Sequence, residues 1–152
     1  MTLKERINED LKAAMKAGDK IRLEAIRAIK KDIIEKETAE KRAQRGELTP
    51  EEELEVLTAM VKRRRDSIEQ FKQAGRTDLA DEEIKQLAVI EQYLPAQLSE
   101  AEIKEVLQKI ISQVGAASAK DLGKVMGAAM KELKGKADGS MVQRLAKELL
   151  PN

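Results

Sequence analysis

The segment from residue 120 to residue 136 combines lysines and glycines at a spacing that could neutralise phosphate groups. If it is helical, its apolar residues fall on one side, and its lysines and glycines fall on the opposite side. Two glycines inside one helix cost about 1 kcal/mol each relative to alanine, which indicates close approach of another backbone. Lysines around a bare backbone suit a sugar-phosphate strand. The candidate nucleic-acid-binding residues are Lys120, Gly123, Lys124, Gly127, Lys131, Lys134 and Lys136.

The same pattern has a structural interpretation. A lysine-rich side of a helix can simply be solvated, and its glycines can admit a neighbouring protein helix. No aromatic residue interrupts the lysines, since Phe71 and Tyr93 are the only aromatic residues of the chain. Base stacking is therefore not expected, and any RNA would be bound through its shape and backbone.

Other chemistries lack the residues that they need. The 152-residue chain has no cysteine and no histidine, which excludes disulfides, zinc fingers and catalysis by either side chain. Acidic runs at 51–53 and 81–83 lie in predicted first turns, where the helix dipole favours them. We find no isolated pair of carboxylates for acid–base or metal chemistry. We therefore expect no catalytic residue, no metal and no cofactor.

A nucleotide-binding loop is also not expected near residue 136. The sequence around Gly135 and Lys136 superficially resembles a Walker A motif. However, Met130 stands where that motif needs its first glycine, and Ala137 stands where it needs serine or threonine. A helix end followed by a new helix start explains this segment better.

The segments that position the candidate site residues are all predicted to be helices. Hydrophobic residues make up 41% of the chain and charged residues 38%, a composition typical of long exposed helices. Glycines mark helix ends, and pairs such as Ser99 with Glu102 mark helix starts as capping boxes. The predicted helices span 2–17, 19–45, 49–74, 77–93, 99–114, 118–134 and 138–150, with Asp19, Thr77 and Asp138 as further caps.

Pro95 interrupts the helical pattern and sets the predicted domain boundary. We expect a four-helix N-terminal domain over 1–95 and a three-helix C-terminal module over 96–152. Helices two and three should form a long antiparallel hairpin around Gly46. The expected core of the C-terminal module comprises Ile103, Leu107, Ile110, Leu122, Met126, Met130, Leu133, Leu145 and Leu149.

The third predicted helix carries an apolar stripe of Leu57, Val61 and Ile68 that Arg64 interrupts. Arg63, Arg64 and Arg65 cannot share one side of a helix, because three consecutive residues span about 200°. Pairs of Arg63 and Arg65 with Glu69 inside the helix are the expected arrangement. A supplementary RNA contact is the alternative for these arginines.

Three stretches of the sequence are distinctive: the arginine-rich segment 63–80, the segment 93–99 with the sequence YLPAQLS, and the segment 123–139 from Gly-Lys-Val-Met-Gly to Gly-Lys-Ala-Asp-Gly. Together with the early segment 20–23 (KIRL), they make the chain resemble the GatB/YqeY family over essentially its whole length. The family joins small YqeY-like proteins to the GatB component of the glutamine-dependent tRNA amidotransferase through a shared C-terminal module. Leu122 stands where methionine is often expected, a departure that keeps the apolar side.

The resemblance implies tRNA holding rather than catalysis, because the amidotransferase chemistry belongs to parts that this chain lacks. The family label of a carbon–nitrogen ligase with glutamine as amide donor is therefore an association. We expect a non-catalytic tRNA-binding accessory that is not an enzyme by itself. Its expected partners are tRNA and, through the N-terminal hairpin, a second protein. The alternative is a helical protein-interaction adaptor. Without an apolar run for secretion or for crossing a membrane, the sequence predicts a cytoplasmic location.

Overall fold

A computed structural model describes residues 1–39, 42 and 46–151. Over this part of the chain the fold is all-α, which confirms the predicted class, and it contains no strand. The helices are α1 (Leu3–Ala17), α2 (Lys20–Glu37), α3 (Pro50–Gln73), α4 (Thr77–Glu91), α5 (Glu100–Val114), α6 (Leu122–Leu133) and α7 (Gly139–Leu149), and a 3₁₀ turn at Ala119–Asp121 precedes α6.

Local caps explain most of these boundaries. Reciprocal capping boxes begin α1, α3 and α5, at the pairs Thr2 and Glu5, Thr49 and Glu52, and Ser99 and Glu102. Gly18 and Gly115 end α1 and α5 in the left-handed conformation, with φ of 65° and 66°. Asp19 caps α2 by accepting from the N–H of Arg22. The strongest local signals in the sequence therefore match the observed helix ends.

Two predicted caps are not observed. The residue before α4 is Arg76 rather than Thr77, and no side-chain hydrogen bond caps this helix. Asp138 precedes α7, but its carboxylate makes no capping hydrogen bond. Both helices therefore begin without a side-chain hydrogen bond that fixes the first turn.

The second helix ends at Glu37, well before the predicted residue 45. Thr38 follows it, and its Oγ1 donates a 2.8 Å hydrogen bond to the carbonyl oxygen of Ile34. No large apolar residue occurs between Ile34 and Leu48, so a longer helix would have no apolar side to bury. Residues 40, 41 and 43–45 of the prediction lie outside the described residues.

The first of two compact units spans Met1–Leu94 and contains α1 to α4. Its long hairpin is α3 with α4, turning at Gly75 (φ 73°), and α2 packs more against α1 and α4 than against α3. The predicted antiparallel packing of helices two and three is also observed, because Asp32 and Lys36 of α2 pair with Arg63 and Glu55 of α3, but it is less extensive than the packing of α3 against α4. The short connection after Gln73 makes α3 and α4 antiparallel neighbours, whereas a long segment separates α2 from α3. The core includes Ile7, Ile26, Ile29, Leu57, Met60 and Ile90.

The second unit begins at Pro95, and each of its helices α5, α6 and α7 packs against the other two. Its buried core comprises Ile103, Leu107, Ile110, Val125, Ala129, Leu133, Ala137, Val142, Leu145, Ala146 and Leu150. The predicted core residues Leu122, Met126, Met130 and Leu149 are only partly buried at its edge. The buried side of α6 is therefore rotated toward Val125 and Ala129, relative to the predicted centre.

Candidate nucleic-acid interface

The helix α6 places four of the predicted site residues together on its exposed side. Val125, Ala129 and Leu133 bury the opposite side in the core of the second unit. This fixes the rotation of the helix, so that Gly123, Lys124, Gly127 and Lys131 face solvent. We call these four residues the lysine–glycine face.

Gly123 and Gly127 leave a bare patch of backbone on this face. A methyl group built at either position would have no heavy atom within 4 Å outside its own helix and sequence neighbours. Both glycines lie inside regular helix, and neither has a positive φ. Neither packing against the described residues nor backbone conformation therefore explains why glycine stands at these positions.

Lys124 and Lys131 border this patch along the helix. They are two turns apart on the same side, which separates their Cα atoms by about 10 Å along the axis. Both are exposed, and neither forms a salt bridge with any residue that the structure describes. Their ammonium groups are therefore available to an anionic partner.

The remaining predicted lysines lie outside α6. Lys120 belongs to the 3₁₀ turn, Lys134 is the C-cap residue with an extended backbone, and Lys136 lies in the turn that follows. All three are exposed. The predicted continuous helix from 118 to 134 is therefore wrong at its start. Lys120, Lys134 and Lys136 therefore do not share one side of α6 with Lys124 and Lys131. In the sequence, they flank the lysine–glycine face at its two ends.

The 3₁₀ turn is fixed by Asp121. Its carboxylate accepts hydrogen bonds from the N–H groups of Ala117 (2.9 Å) and Ser118 (3.4 Å). These two N–H groups, helped by the positive charge of Lys124, hold the pKa of Asp121 below its usual value. Because a carboxylate already occupies the start of α6, a phosphate group would be repelled there. The side of the helix, and not its N-terminus, is the candidate surface.

A strap from residue 95 to residue 98 holds the turn that carries Lys136. The side-chain amide of Gln97 donates a 2.7 Å hydrogen bond to the carbonyl oxygen of Gly135, and the N–H of Leu98 donates to the carbonyl oxygen of Lys136 at 2.9 Å. Gly135 adopts a φ of 78°. No local pattern in the sequence indicates this positioning role of Gln97. The one indication in the sequence was the family resemblance, because two of its three stretches, 93–99 and 123–139, meet at this hydrogen bond.

The arginines of α3 form ion pairs with other helices. Arg63 pairs with Asp32 of α2, Arg64 pairs with Glu83 of α4 at 3.1 Å, and Arg65 lies 3.6 Å from Glu91 of α4. Arg63 therefore pairs with Asp32, and not with Glu69 as the sequence had predicted. The α3–α4 hairpin brings these acidic residues within reach, which sequence spacing alone could not indicate.

Two other kinds of site are absent from the part of the chain that the structure describes. No group of three or more acidic side chains is arranged to hold a metal ion there. Likewise, none of its helices combines the length and the apolar character needed to cross a membrane.

Comparison with known proteins gives a family match over nearly the whole chain. The model of the YqeY-like protein family matches residues 4–150, from α1 to α7. A relative from Pyrenophora tritici-repentis, named altered inheritance of mitochondria protein 41, mitochondrial, is 34% identical over 95% of this chain and 79% of its own length. A relative of the same name from Clavispora lusitaniae is 35% identical over 82% of this chain and 69% of its own length.

These names contradict the predicted cytoplasmic location. The two relatives, and a third from Lachancea thermotolerans, are named as mitochondrial proteins. The prediction was based on the lack of an apolar run at the N-terminus. Transit peptides are amphipathic and rich in arginine and serine, so they lack such a run as well. The lack of an apolar run therefore does not establish a cytoplasmic location.

Proposed function

We propose that this chain, which belongs to the YqeY-like protein family, is a non-catalytic module that binds tRNA through the lysine–glycine face of α6. The bare patch at Gly123 and Gly127 is the observation that carries the proposal. Two helix-weakening residues stand on an exposed surface where no contact with the described residues requires them. A partner that approaches the backbone of α6 closely would explain their presence.

The charge around the patch favours a phosphate strand as that partner. Lys124 and Lys131 flank the glycines, and neither forms a salt bridge with a described acidic residue. Their separation of about 10 Å along the helix axis allows the two lysines to contact different phosphates of one strand. With Lys120 and Lys136 beyond the ends of α6, the contact would involve about two to four phosphates. Such a contact recognises the backbone and the shape of the RNA rather than its sequence.

The test is binding of the purified full chain to bulk tRNA over a series of salt concentrations. The logarithm of the binding constant should fall with the logarithm of salt, by about 0.7–0.9 per neutralised phosphate. The double variant Lys124→Gln and Lys131→Gln should bind more weakly, with a slope smaller by about 1–2.

A matched control removes two lysines from another helix. Lys12 and Lys16 of α1 are exposed and form no salt bridge with a described residue, so Lys12→Gln with Lys16→Gln makes the same change in net charge. This control should leave the slope unchanged. Equal affinity and slope for the wild type and the Lys124/Lys131 variant would reject the lysine–glycine face as the tRNA site.

Docking of a partner protein helix is the second candidate, and the four-residue spacing of the glycines favours it. Gly123 and Gly127 lie one turn apart, about 6 Å along the axis, as a closely packed helix would require. The two candidates differ in what the lysines do. If a partner protein stays bound after nuclease treatment, and is lost from Gly127→Leu but kept by the Lys124/Lys131 variant, helix docking is favoured.

A further inference from the structure

A groove of about 320 Å³ lies between α2, α3 and α4 of the first unit, separate from the lysine–glycine face. Donors and acceptors of both charges line it. Lys31, Arg63, Arg64 and Ser67 supply the donors, and Asp32 and Glu83 supply the acceptors. Pockets for small molecules range from about 300 to 1,000 Å³, so this groove suits a small ligand.

Arg64 takes a position of α3 that an apolar residue would normally fill. It interrupts the stripe of Leu57, Val61 and Ile68, which are buried, and its own side chain is only 18% exposed. A half-buried guanidinium loses hydration, and an apolar side chain of similar size would often be at least as stable there. Stability therefore does not account for arginine at this place.

A polar network takes the place of apolar packing beside the groove. Arg64 Nη1 donates to Glu83 Oε2 at 3.1 Å and also to the side-chain oxygen of Gln86. Gln86 in turn donates to Glu24 Oε2 of α2 at 2.9 Å. The network joins three helices and fixes the guanidinium of Arg64. Departures from apolar packing of this kind are expected at functional sites.

The lining retains donors without a fixed acceptor. Arg63 pairs with Asp32 through Nη2, and Arg64 pairs through Nη1, so each keeps further N–H groups that bond to no residue in the described ranges. Lys31 has a distant contact, at 3.9 Å, with the exposed Glu35. The hydroxyl of Ser67 has no hydrogen-bond partner among the described residues. Since each lining carboxylate is paired with an arginine, the remaining donors favour an anion.

We propose that this groove binds a small molecule through an oxyanion, either a phosphate or a carboxylate group. Arg63 and Arg64 would contact the oxyanion, because a guanidinium can bind two oxygens at once. Lys31 and Ser67 would complete the contact from the two sides of the groove. Asp32 and Glu83 would hold the arginines in place without touching the anion.

The test titrates the full chain with inorganic phosphate and, separately, with acetate. Sodium chloride keeps the ionic strength constant, so that general screening does not change. The backbone amide signals of Lys31, Arg63 and Ser67 are followed by NMR, and saturable shifts are expected. Saturation by phosphate alone assigns a phosphate ligand, and saturation by acetate alone assigns a carboxylate ligand. Shifts that grow linearly with both anions overturn the proposal.

Variants distinguish anion binding in the groove from a general effect of surface charge. Arg63→Gln should weaken binding about tenfold, the effect of losing one charged hydrogen bond. Arg76→Gln is the matched control, because Arg76 also pairs with an aspartate (Asp78, 3.2 Å) but lies outside the groove. Ser67→Ala disturbs neither ion pair and should also weaken binding. Equal affinities for the wild type, Arg63→Gln and Ser67→Ala would overturn the proposal.

Discussion

The guanidinium of Arg42 and the carboxylate of Glu52 form a bidentate pair, with Nε to Oε2 at 2.5 Å and Nη2 to Oε1 at 2.9 Å. The side chain of Arg42 is 7% exposed, and it also donates to the carbonyl oxygens of Gly46 and Glu47. Glu52 is at the same time the acidic partner in the capping box of Thr49. One carboxylate therefore fixes both the start of α3 and the segment before it.

This pair predicts a loss of stability in acid. The hydrogen bond from Arg42 and the N–H of Thr49 hold the pKa of Glu52 at about 2, below its ordinary value of 4.5. The contribution of Glu52 to stability is therefore complete above pH 4.5 and is lost as the pH falls toward 2. Urea unfolding at pH 7 and pH 3 should show a smaller loss of unfolding free energy for Glu52→Gln than for the wild type.

The neighbouring Glu51 supplies the control. It lies in the same first turn but is exposed and forms no ion pair with a described residue, so Glu51→Gln should lose as much stability in acid as the wild type. Asp78 and Asp121 also have lowered pKa values and leave some acid sensitivity in every variant. Identical pH dependence in Glu52→Gln and the wild type would contradict the prediction.

Substitution of two glycines of the second unit by alanine should change stability in opposite directions. Gly127→Ala adds a methyl group in open space inside a helix and should raise the unfolding free energy by about 1 kcal/mol. Gly115→Ala also meets no atom, but its φ of 66° should make alanine destabilising by about 1–2 kcal/mol. Chemical denaturation of the two variants tests both signs.

At these two positions, the effect of alanine on tRNA binding should differ from its effect on stability. If tRNA approaches the backbone of α6, Gly127→Ala should bind tRNA more weakly although it is more stable, because the methyl group separates the two backbones. Gly115→Ala, measured where it is still folded, should keep the affinity of the wild type. A Gly127→Ala variant that is more stable and binds equally well would show that the bare patch is not a contact.

Features with a local cause could be predicted from the sequence, whereas features formed between distant segments could not. Capping boxes and left-handed glycines act within a few residues, so the existence and class of the helices could be predicted. The early end of α2 and the pairing of α3 with α4 depend on which apolar sides can be buried together. The sequence pattern does not contain that information.

The candidate site likewise combines features that the sequence predicted with features that it could not predict. The lysine–glycine face was predicted because one helix carries it. The strap that holds Lys136 was missed, since Gln97 and Gly135 are 38 residues apart and form no local pattern. The position of Lys120 was misjudged because Ser118 and Asp121 tighten the chain into a 3₁₀ turn. For Arg64, the interruption of the apolar stripe was visible, but its partners on α4 were not.

Tyr93 predicts a coupling between alkaline pH and unfolding of the first unit. Its hydroxyl donates a 2.5 Å hydrogen bond to Asp10 Oδ2, its ring lies 4.6 Å from the guanidinium carbon of Arg6, and the residue is 8% exposed. Burial, together with the hydrogen bond and the negative charge of Asp10, raises the pKa of Tyr93 well above its ordinary value of 10.0. The folded state therefore holds the proton more tightly than the unfolded state does.

The resulting stability is complete below pH 10 and is lost as the pH rises above it, because only the unfolded chain can ionise easily there. Tyr93 is the single tyrosine of a chain without tryptophan, so ultraviolet absorbance of tyrosinate reports on this residue alone. In an alkaline titration, tyrosinate should appear together with the loss of the helical circular dichroism signal. In urea the chain should ionise near pH 10, and Asp10→Asn should bring ionisation to lower pH. Tyrosinate formed near pH 10 with full helical signal would show that the bond to Asp10 does not hold the proton.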